Sequence, residues 1–365
     1  MRPAPVARPT RLPARGRRPR RRWLRLAAAA AGAALAGCSS GPERVNLLLV
    51  TVDTLRADRL ACYGGPPDVG TAICALADRG VRFAWAFSAA PSTAPAVASL
   101  LTSTYPKDHG VTQSALTFLH NDAITLTEIL RAAGYTTAAF VSNPVLDRHR
   151  NLGQGFQVYD QRMTRRERNR KRYEEREAQT TTDAALAWAQ VAAQPPWFLW
   201  VHFQDPHGPY EPPGAPPAYD DAEERRLSVL GNHSGRGGIP AYQALPGLAT
   251  PGAYERRYLA EIRYLDPHLK RLVDGLDALG EPVAVLLTSD HGEAFGEDDY
   301  YFAHGHSVGL DQIRVPLIWR SAGPARARVE TAPVSLLDVA PTLLRVAGLD
   351  VPEGFGGQPL PVPEL

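Results

Sequence analysis

The chain has 365 residues, 44% of them hydrophobic and 21% charged, an ordinary globular composition with enough length for one large domain or two small ones. Its formal net charge of +2 conceals a split: arginine dominates residues 1–25, where Asp and Glu are absent, so the remainder is mildly acidic. That distribution argues against a nucleic-acid-binding body, and three cysteines, Cys38, Cys62 and Cys74, are too few for a disulfide scaffold.

The chain opens as an address. A basic stretch ending in Arg20-Arg21-Arg22-Trp23-Leu24-Arg25 precedes the Ala-rich run Leu26–Ala36, which is too short to span a bilayer permanently. A basic segment, a short apolar segment and small residues make an export signal. Leu35-Ala36-Gly37-Cys38 resembles a bacterial lipobox, which implies lipidation of Cys38 and a membrane-anchored envelope protein facing the periplasm or the outer surface. The plainer alternative is an ordinary signal peptide with an incidental cysteine. The arginine pair also resembles a twin-arginine signal, and the long basic lead leaves a later translation start open. The expected division is a signal over 1–38, a linker over 39–44, a folded domain over 45–350 and a tail over 351–365.

From Val45 to Val52 the sequence VNLLLVTV reads as a strand buried on both faces. Helices are expected over Thr71–Ala77, Pro95–Leu101 and Ala123–Ala133, and a strand over Thr136–Val141. The charged stretch Thr164–Ala178 reads as the start of a helix continuing to Ala192, with arginines and glutamates on a solvated face and no assigned function. A strand over Trp197–Phe203 leads to Asp205-Pro206-His207, and the Pro- and Gly-rich span 212–252 reads as a long irregular excursion. A helix over Tyr254–Leu279, strands over Val283–Thr288 and Ile313–Trp319, and a helix over Leu336–Val346 follow. Alternating strands and helices predict an α/β domain with a mostly parallel sheet. Ligands gather at the carboxyl ends of such strands, and Asp53, Asp205 and Asp290 each follow one.

Seven segments in order, VDTLRADRLACYG (52–64), APSTAPAVASLLTSTYPKDHGV (90–111), AGYTTAAFVSN (133–143), FQDPHGPYEPP (203–213), TSDHGEAFGE (288–297), HGHSVGLDQIRVPLIW (304–319) and VSLLDVAPTLLRVAGL (334–349), resemble the sulfatase branch of the alkaline phosphatase superfamily. The resemblance implies an α/β/α sandwich, a metal at the strand ends, a covalent intermediate and an anionic ester as substrate: a sulfated or phosphorylated glycan, lipid or small molecule. It makes Asp53, Asp290 and His291 the metal ligands, with Thr93 as a further ligand and the nucleophile. Thr93 stands where sulfatases carry the cysteine or serine that becomes formylglycine, and Val97 replaces the arginine that conversion requires. Thr93 is therefore expected to stay threonine and to attack through its own hydroxyl, which tilts the chemistry toward phosphorus.

Thr54 replaces a further sulfatase aspartate, which favours one divalent ion, Mn, Mg or Zn ahead of Ca. Asp205, His207, His304 and His306 could supply a second ion, but their spacing does not match that pattern. The resemblance assigns His207 to the transferred group or leaving oxygen and places His304 and His306 near the bound anion, with one of them facing the site. Asn143 is a candidate substrate hydrogen-bond donor or, equally, a turn residue before Pro144. His109 reads as structural, and His202 carries no assignment. The leading expectation is a hydrolase of sulfate, phosphate or phosphonate esters. Transfer to an alcohol of an envelope polymer and an inactive module binding anionic glycans or lipids are the alternatives.

Overall fold

All seven residues of Asn46–Val52 are buried, so this strand, β1, lies inside a sheet covered on both faces. The computed structural model describes residues 44–363; the expected signal, its cleavage point and Cys38 lie outside the described residues. The further strands are β2 (Gly80–Phe87), β3 (Thr136–Val141), β4 (Val158–Asp160), β5 (Arg165–Arg166), β6 (Glu174–Glu175), β7 (Trp197–Phe203), β8 (Val283–Ser289), β9 (Ala294–Phe295), β10 (Tyr301–Ala303), β11 (Arg314–Arg320), β12 (Arg328–Glu330) and β13 (Val334–Ser335). The helices are α1 (Thr71–Ala75), α2 (Thr93–Thr102), α3 (Pro106–His109), α4 (Leu126–Ala132), α5 (Ala178–Val191), α6 (Pro251–Asp277), α7 (Leu310–Ile313) and α8 (Val339–Val346).

Nine strands form the main sheet, in the order β12-β2-β11-β8-β1-β7-β3-β4 with β13 also on β2. Every pairing in it is parallel except the two made by β11. Side chains of β1 alternate between two apolar layers. Leu47 and Leu49 pack with Val97 and Leu101 of α2 and Leu343 of α8, and Leu48 and Val50 with Trp188 of α5 and Ile262 and Leu269 of α6. Helices thus cover both faces, giving the expected α/β/α sandwich. No described helix is long and apolar enough to cross a membrane.

Several elements differ from the sequence reading. Strand β2 is not anticipated, because Arg82, Ala84 and Ala86 dilute its β-forming pattern. Helix α4 starts at Leu126 instead of Ala123, where Thr125 and Glu128 form a capping box. The stretch expected to open a charged helix is instead a hairpin, β5 against β6, and helix begins only at Ala178. Its charges explain the difference: Arg165 pairs with Glu177 at 2.9 Å and Arg168 with Glu211 at 2.7 Å, partners that a continuous helix would not bring together. The expected tail packs on the domain, with Leu360 and Val362 in the α2–α8 layer. Cys62 and Cys74 form a disulfide with Cα atoms 5.7 Å apart, which ties the turn after β1 to α1. Three cysteines make no scaffold, but two of them make a staple.

Candidate active site

Strands β8, β1, β7 and β3 are successive neighbours in the sheet. Just past their carboxyl ends stand Asp290, Asp53, Asp205 and Asn143. Asp53, Asp290 and His291 are almost wholly buried, and one ligand atom from each lies within 4.8 Å of the others. His291 Nε2 is 3.7 Å from Asp53 Oδ1 and 3.6 Å from Asp290 Oδ2. Neither of those oxygens has a hydrogen-bond partner. Asp290 Oδ1 accepts the backbone N–H groups of Thr54 (3.2 Å) and His291 (2.8 Å), which leaves Oδ2 turned to the cluster. His291 Nδ1–H donates to the Gly292 carbonyl at 2.9 Å, which leaves Nε2 with its lone pair free.

Burial raises Asp290 well above the usual carboxylate range, and the charge on Asp53 adds to the effect. Burial acts the same way on Asp53, but His207 and His202 outweigh it and hold that carboxyl low. His291 is pushed down to about 3 by burial and by His304, so its imidazole is neutral. Two buried carboxylates with orphaned oxygens beside a neutral imidazole lone pair fit a divalent cation, whose charge would offset the desolvation of both.

Thr93 is the first residue of α2, with Ser92 as the N-cap, so the plain cap role does not fall to it. Its Oγ1 lies 3.2 Å from His291 Nε2, inside the cluster. Thr54 adopts φ 55°, a left-handed conformation that is unusual for a β-branched residue. Its N–H bond to Asp290 and the Tyr258 hydroxyl bond to its carbonyl, 2.8 Å, hold it there, as strained backbone at functional sites is held.

Asn143 differs from its expected substrate-binding role. Its Nδ2 donates to Asp53 Oδ2 at 2.5 Å, while Oδ1 accepts from Val145 N–H (2.9 Å) and the Tyr173 hydroxyl (2.8 Å). The amide therefore both caps the turn at Pro144 and orients Asp53. The two candidate histidines separate. The ring of His304 lies 4.4 Å from that of His291 and 5.4 Å from that of His207. His306 stacks on Tyr300 at 3.6 Å and accepts from the Gln312 amide at 2.7 Å, an environment apart from the ligand cluster.

His304 Nδ1 donates to Glu293 Oε1 at 2.9 Å. Burial pushes His304 down, but the Glu293 carboxylate more than compensates and its pKa is raised. His207 Nδ1 donates to the Gly208 carbonyl at 2.7 Å, and burial pushes this ring down to about 3. Asp205 does not join the ligands. It sits with Glu175, Glu177, Glu261, Arg165 and Gln204 around a small polar cavity, where burial lifts it to about 7. His109 is structural, its ring bonded to the Ser99 hydroxyl at 2.9 Å and the Val111 N–H at 3.1 Å.

Sequence reasoning missed three residues. His202, wholly buried, places Nε2 3.4 Å from Asp53 Oδ2 and Nδ1 2.8 Å from Thr51 Oγ1; its signal is its place near the end of a buried strand. Glu293 is buried beneath His304, accepting also from the Tyr210 hydroxyl at 3.0 Å. Arg56 is buried and ties Asp58, the Glu293 carbonyl and Glu297 together at 2.7–2.9 Å.

The sequence model of the sulfatase family matches residues 45–349. The chain belongs to the sulfatase family. This member is 27% identical over 344 residues to an ulvan-active sulfatase of Formosa agariphila, covering 87% of this chain and 65% of that relative. The chain thus spans slightly less than two thirds of that relative's length. Among solved structures, a protein in complex with its substrate D-glucosamine-2-N,6-O-disulfate superposes with a TM-score of 0.67 at 21% identity, over 87% of this chain and 79% of the other. The phosphonate monoester hydrolase of Silicibacter pomeroyi gives 0.66 at 22% identity, over 87% and 76%. At these identities the superpositions establish the shared fold.

Proposed function

We propose that this chain is a metal-dependent hydrolase of anionic esters that works through a covalent ester on Thr93. The observation that carries the reading is the Thr93 hydroxyl, 3.2 Å from His291 Nε2 within the group that Asp53 and Asp290 complete. Those three residues would hold one divalent cation, with Thr93 as a further donor. When bound, the cation supplies Lewis-acid stabilisation to the sulfuryl or phosphoryl oxygens and a lowered pKa for the hydroxyl. Manganese, magnesium or zinc suits this small set of oxygens with one imidazole better than calcium does.

Thr93 Oγ, whose proton passes to solvent as its pKa falls, attacks sulfur or phosphorus as the leaving oxygen departs. His304, whose proton affinity the Glu293 carboxylate raises against burial, protonates that oxygen. His207 is neutral with Nδ1–H committed to Gly208, so its Nε2 is left to accept the proton of the water that opens the Thr93 ester. Threonine has one hydroxyl and cannot form the hemiacetal that releases sulfate from formylglycine. Water must therefore attack sulfur or phosphorus directly, which favours phosphate or phosphonate esters over sulfate esters. An ulvan-active relative and a structural neighbour bound to a glucosamine disulfate support an anionic saccharide as substrate class.

The same reading puts the protein outside the cytoplasm, lipid-anchored at Cys38. The Cys62–Cys74 disulfide supports it, because such bonds persist in oxidising compartments.

The test is turnover of an aryl sulfate, an aryl phosphate, an aryl phosphodiester and an aryl phosphonate by purified protein loaded with manganese, zinc, magnesium or calcium. Metal-dependent turnover that disappears in Thr93→Ala is expected. Turnover that survives this substitution would remove Thr93 as nucleophile, and none with any metal would remove the hydrolase reading.

A further inference from the structure

The proposed reaction leaves three buried side chains behind Asp53, those of Thr51, Trp200 and His202, without a task. The period of two along a strand puts Thr51 on the same face of the sheet as Asp53, and Trp200 on the same face as His202. The β1–β7 register sets Thr51 directly against His202.

The row these residues form has a direction. Trp200 Nε1–H donates to Thr51 Oγ1 at 2.9 Å, and an indole nitrogen can only donate. The indole is wedged in place, with the rings of Phe156 and Tyr159 centred 5.9 and 6.3 Å from its own. Thr51 Oγ1 lies 2.8 Å from His202 Nδ1, and these are the hydroxyl's two partners among the described residues. The Thr51 hydrogen therefore has one acceptor, Nδ1, and the ring proton of His202 sits on Nε2. Nε2 has no other partner and stands 3.4 Å from Asp53 Oδ2. The opposite tautomer would strand the Thr51 hydrogen and turn the lone pairs of Nε2 and Oδ2 on each other.

Asn143 Nδ2 donates to the same Asp53 oxygen, so Oδ2 meets nitrogen donors from two residues while Oδ1 has no partner. We propose that Thr51 and His202 are positioning residues for the metal site: the Thr51 hydroxyl, turned by the Trp200 indole, fixes the His202 tautomer that commits Asp53 Oδ2 and leaves Oδ1 for the cation. The inference rests on the reading of Asp53, Asp290 and His291 as that site. An outer partner of a ligand carboxylate governs metal affinity, and here a hydroxyl that bonds none of the three ligand side chains places the partner's proton.

The test crosses two substitutions at one position. Thr51→Val keeps the branched shape and removes the hydroxyl, whereas Thr51→Ser keeps the hydroxyl and trims the shape. Long-range 1H–15N spectra of metal-free protein labelled with 15N-histidine read the tautomer, and calorimetric titration with manganese reads the affinity. Parent and Thr51→Ser are expected to carry the His202 proton on Nε2 and to bind manganese alike. Thr51→Val should shift the proton toward Nδ1 and bind manganese about tenfold more weakly. Should Thr51→Val fail to fold, Thr51→Ala against Thr51→Ser isolates the hydroxyl with the same two readouts. An unchanged tautomer or an unchanged affinity without the hydroxyl overturns the proposal, as does a parent ring protonated on Nδ1. An equal loss in Thr51→Ser overturns it too, because the side chain would then act by packing. Hydroxyl-dependent manganese binding in a protein that cleaves no ester upholds the row and removes the hydrolase reading instead.

Discussion

Asn143 Nδ2 stands 2.5 Å from Asp53 Oδ2, so the amide at the end of β3 addresses a candidate metal ligand and not open solvent. A ligand carboxylate held from outside keeps its other oxygen aimed at the cation, and loss of such a partner weakens metal binding by roughly 10- to 100-fold. Asn143→Ala should lower manganese affinity in a calorimetric titration by that factor. Unchanged affinity with a raised KM for an aryl ester would return Asn143 to the substrate-contact role that its sequence position first indicated.

Glu293 sets a pH limit on the proposed reaction. Its carboxylate raises His304 against burial, and the protonated ring is the working form, so activity is lost as pH rises through that pKa. In Glu293→Gln burial acts unopposed, and the alkaline limb of the rate profile should move to lower pH. A profile that only scales down, with no displacement, would assign Glu293 to packing alone.

The acids behind Asp205 tie stability to pH. Burial lifts Glu175 to about 8 and Asp205 to about 7. Both folded values lie above the unfolded ones, so this contribution is full at acid pH, below the unfolded pKa, and is lost as pH climbs through 7 to 8. Glu175→Gln should therefore melt higher than the parent at alkaline pH, by on the order of 1 kcal/mol, and the difference should fade as pH falls toward 4.5, the ordinary glutamate value. A lower melting temperature at alkaline pH would show that the charge is needed by Arg165.

The disulfide between Cys62 and Cys74 closes a loop of 12 residues. Chain-entropy arguments give such a bridge about 3 kcal/mol. Cys62→Ser/Cys74→Ser should shift the urea unfolding midpoint down accordingly, and reducing agent should move the parent toward the same value. Identical midpoints with and without reductant would mean that the bond does not form in the purified protein.

The parts of the site legible in the sequence are those that announce themselves locally. Asp53, Asp205 and Asp290 each follow a buried apolar strand, and Thr93 opens a helix, so position alone singles them out. His202 matters only because the β1–β7 register sets it against Thr51, a pairing between residues far apart in the chain. Glu293 acquires its role from the return of β10 onto β9, which brings His304 over it. The hairpin misreads as helix because its ion pairs run to Glu177 and Glu211, and charge spacing along one segment cannot reveal partners on another. Within the irregular excursion, Tyr242 and Gln243 are buried beside the site, with no periodicity to mark them.

The order β8-β1-β7-β3 has a consequence for how the site comes into being. Asp290, Asp53 and Asn143 are drawn from chain segments separated by 90 residues or more, so no fragment and no half-formed sheet contains the cluster. A cation seated between β1 and β8 would act as a rivet across two strands that meet only once the α6 crossover is complete. Metal uptake would then report finished assembly.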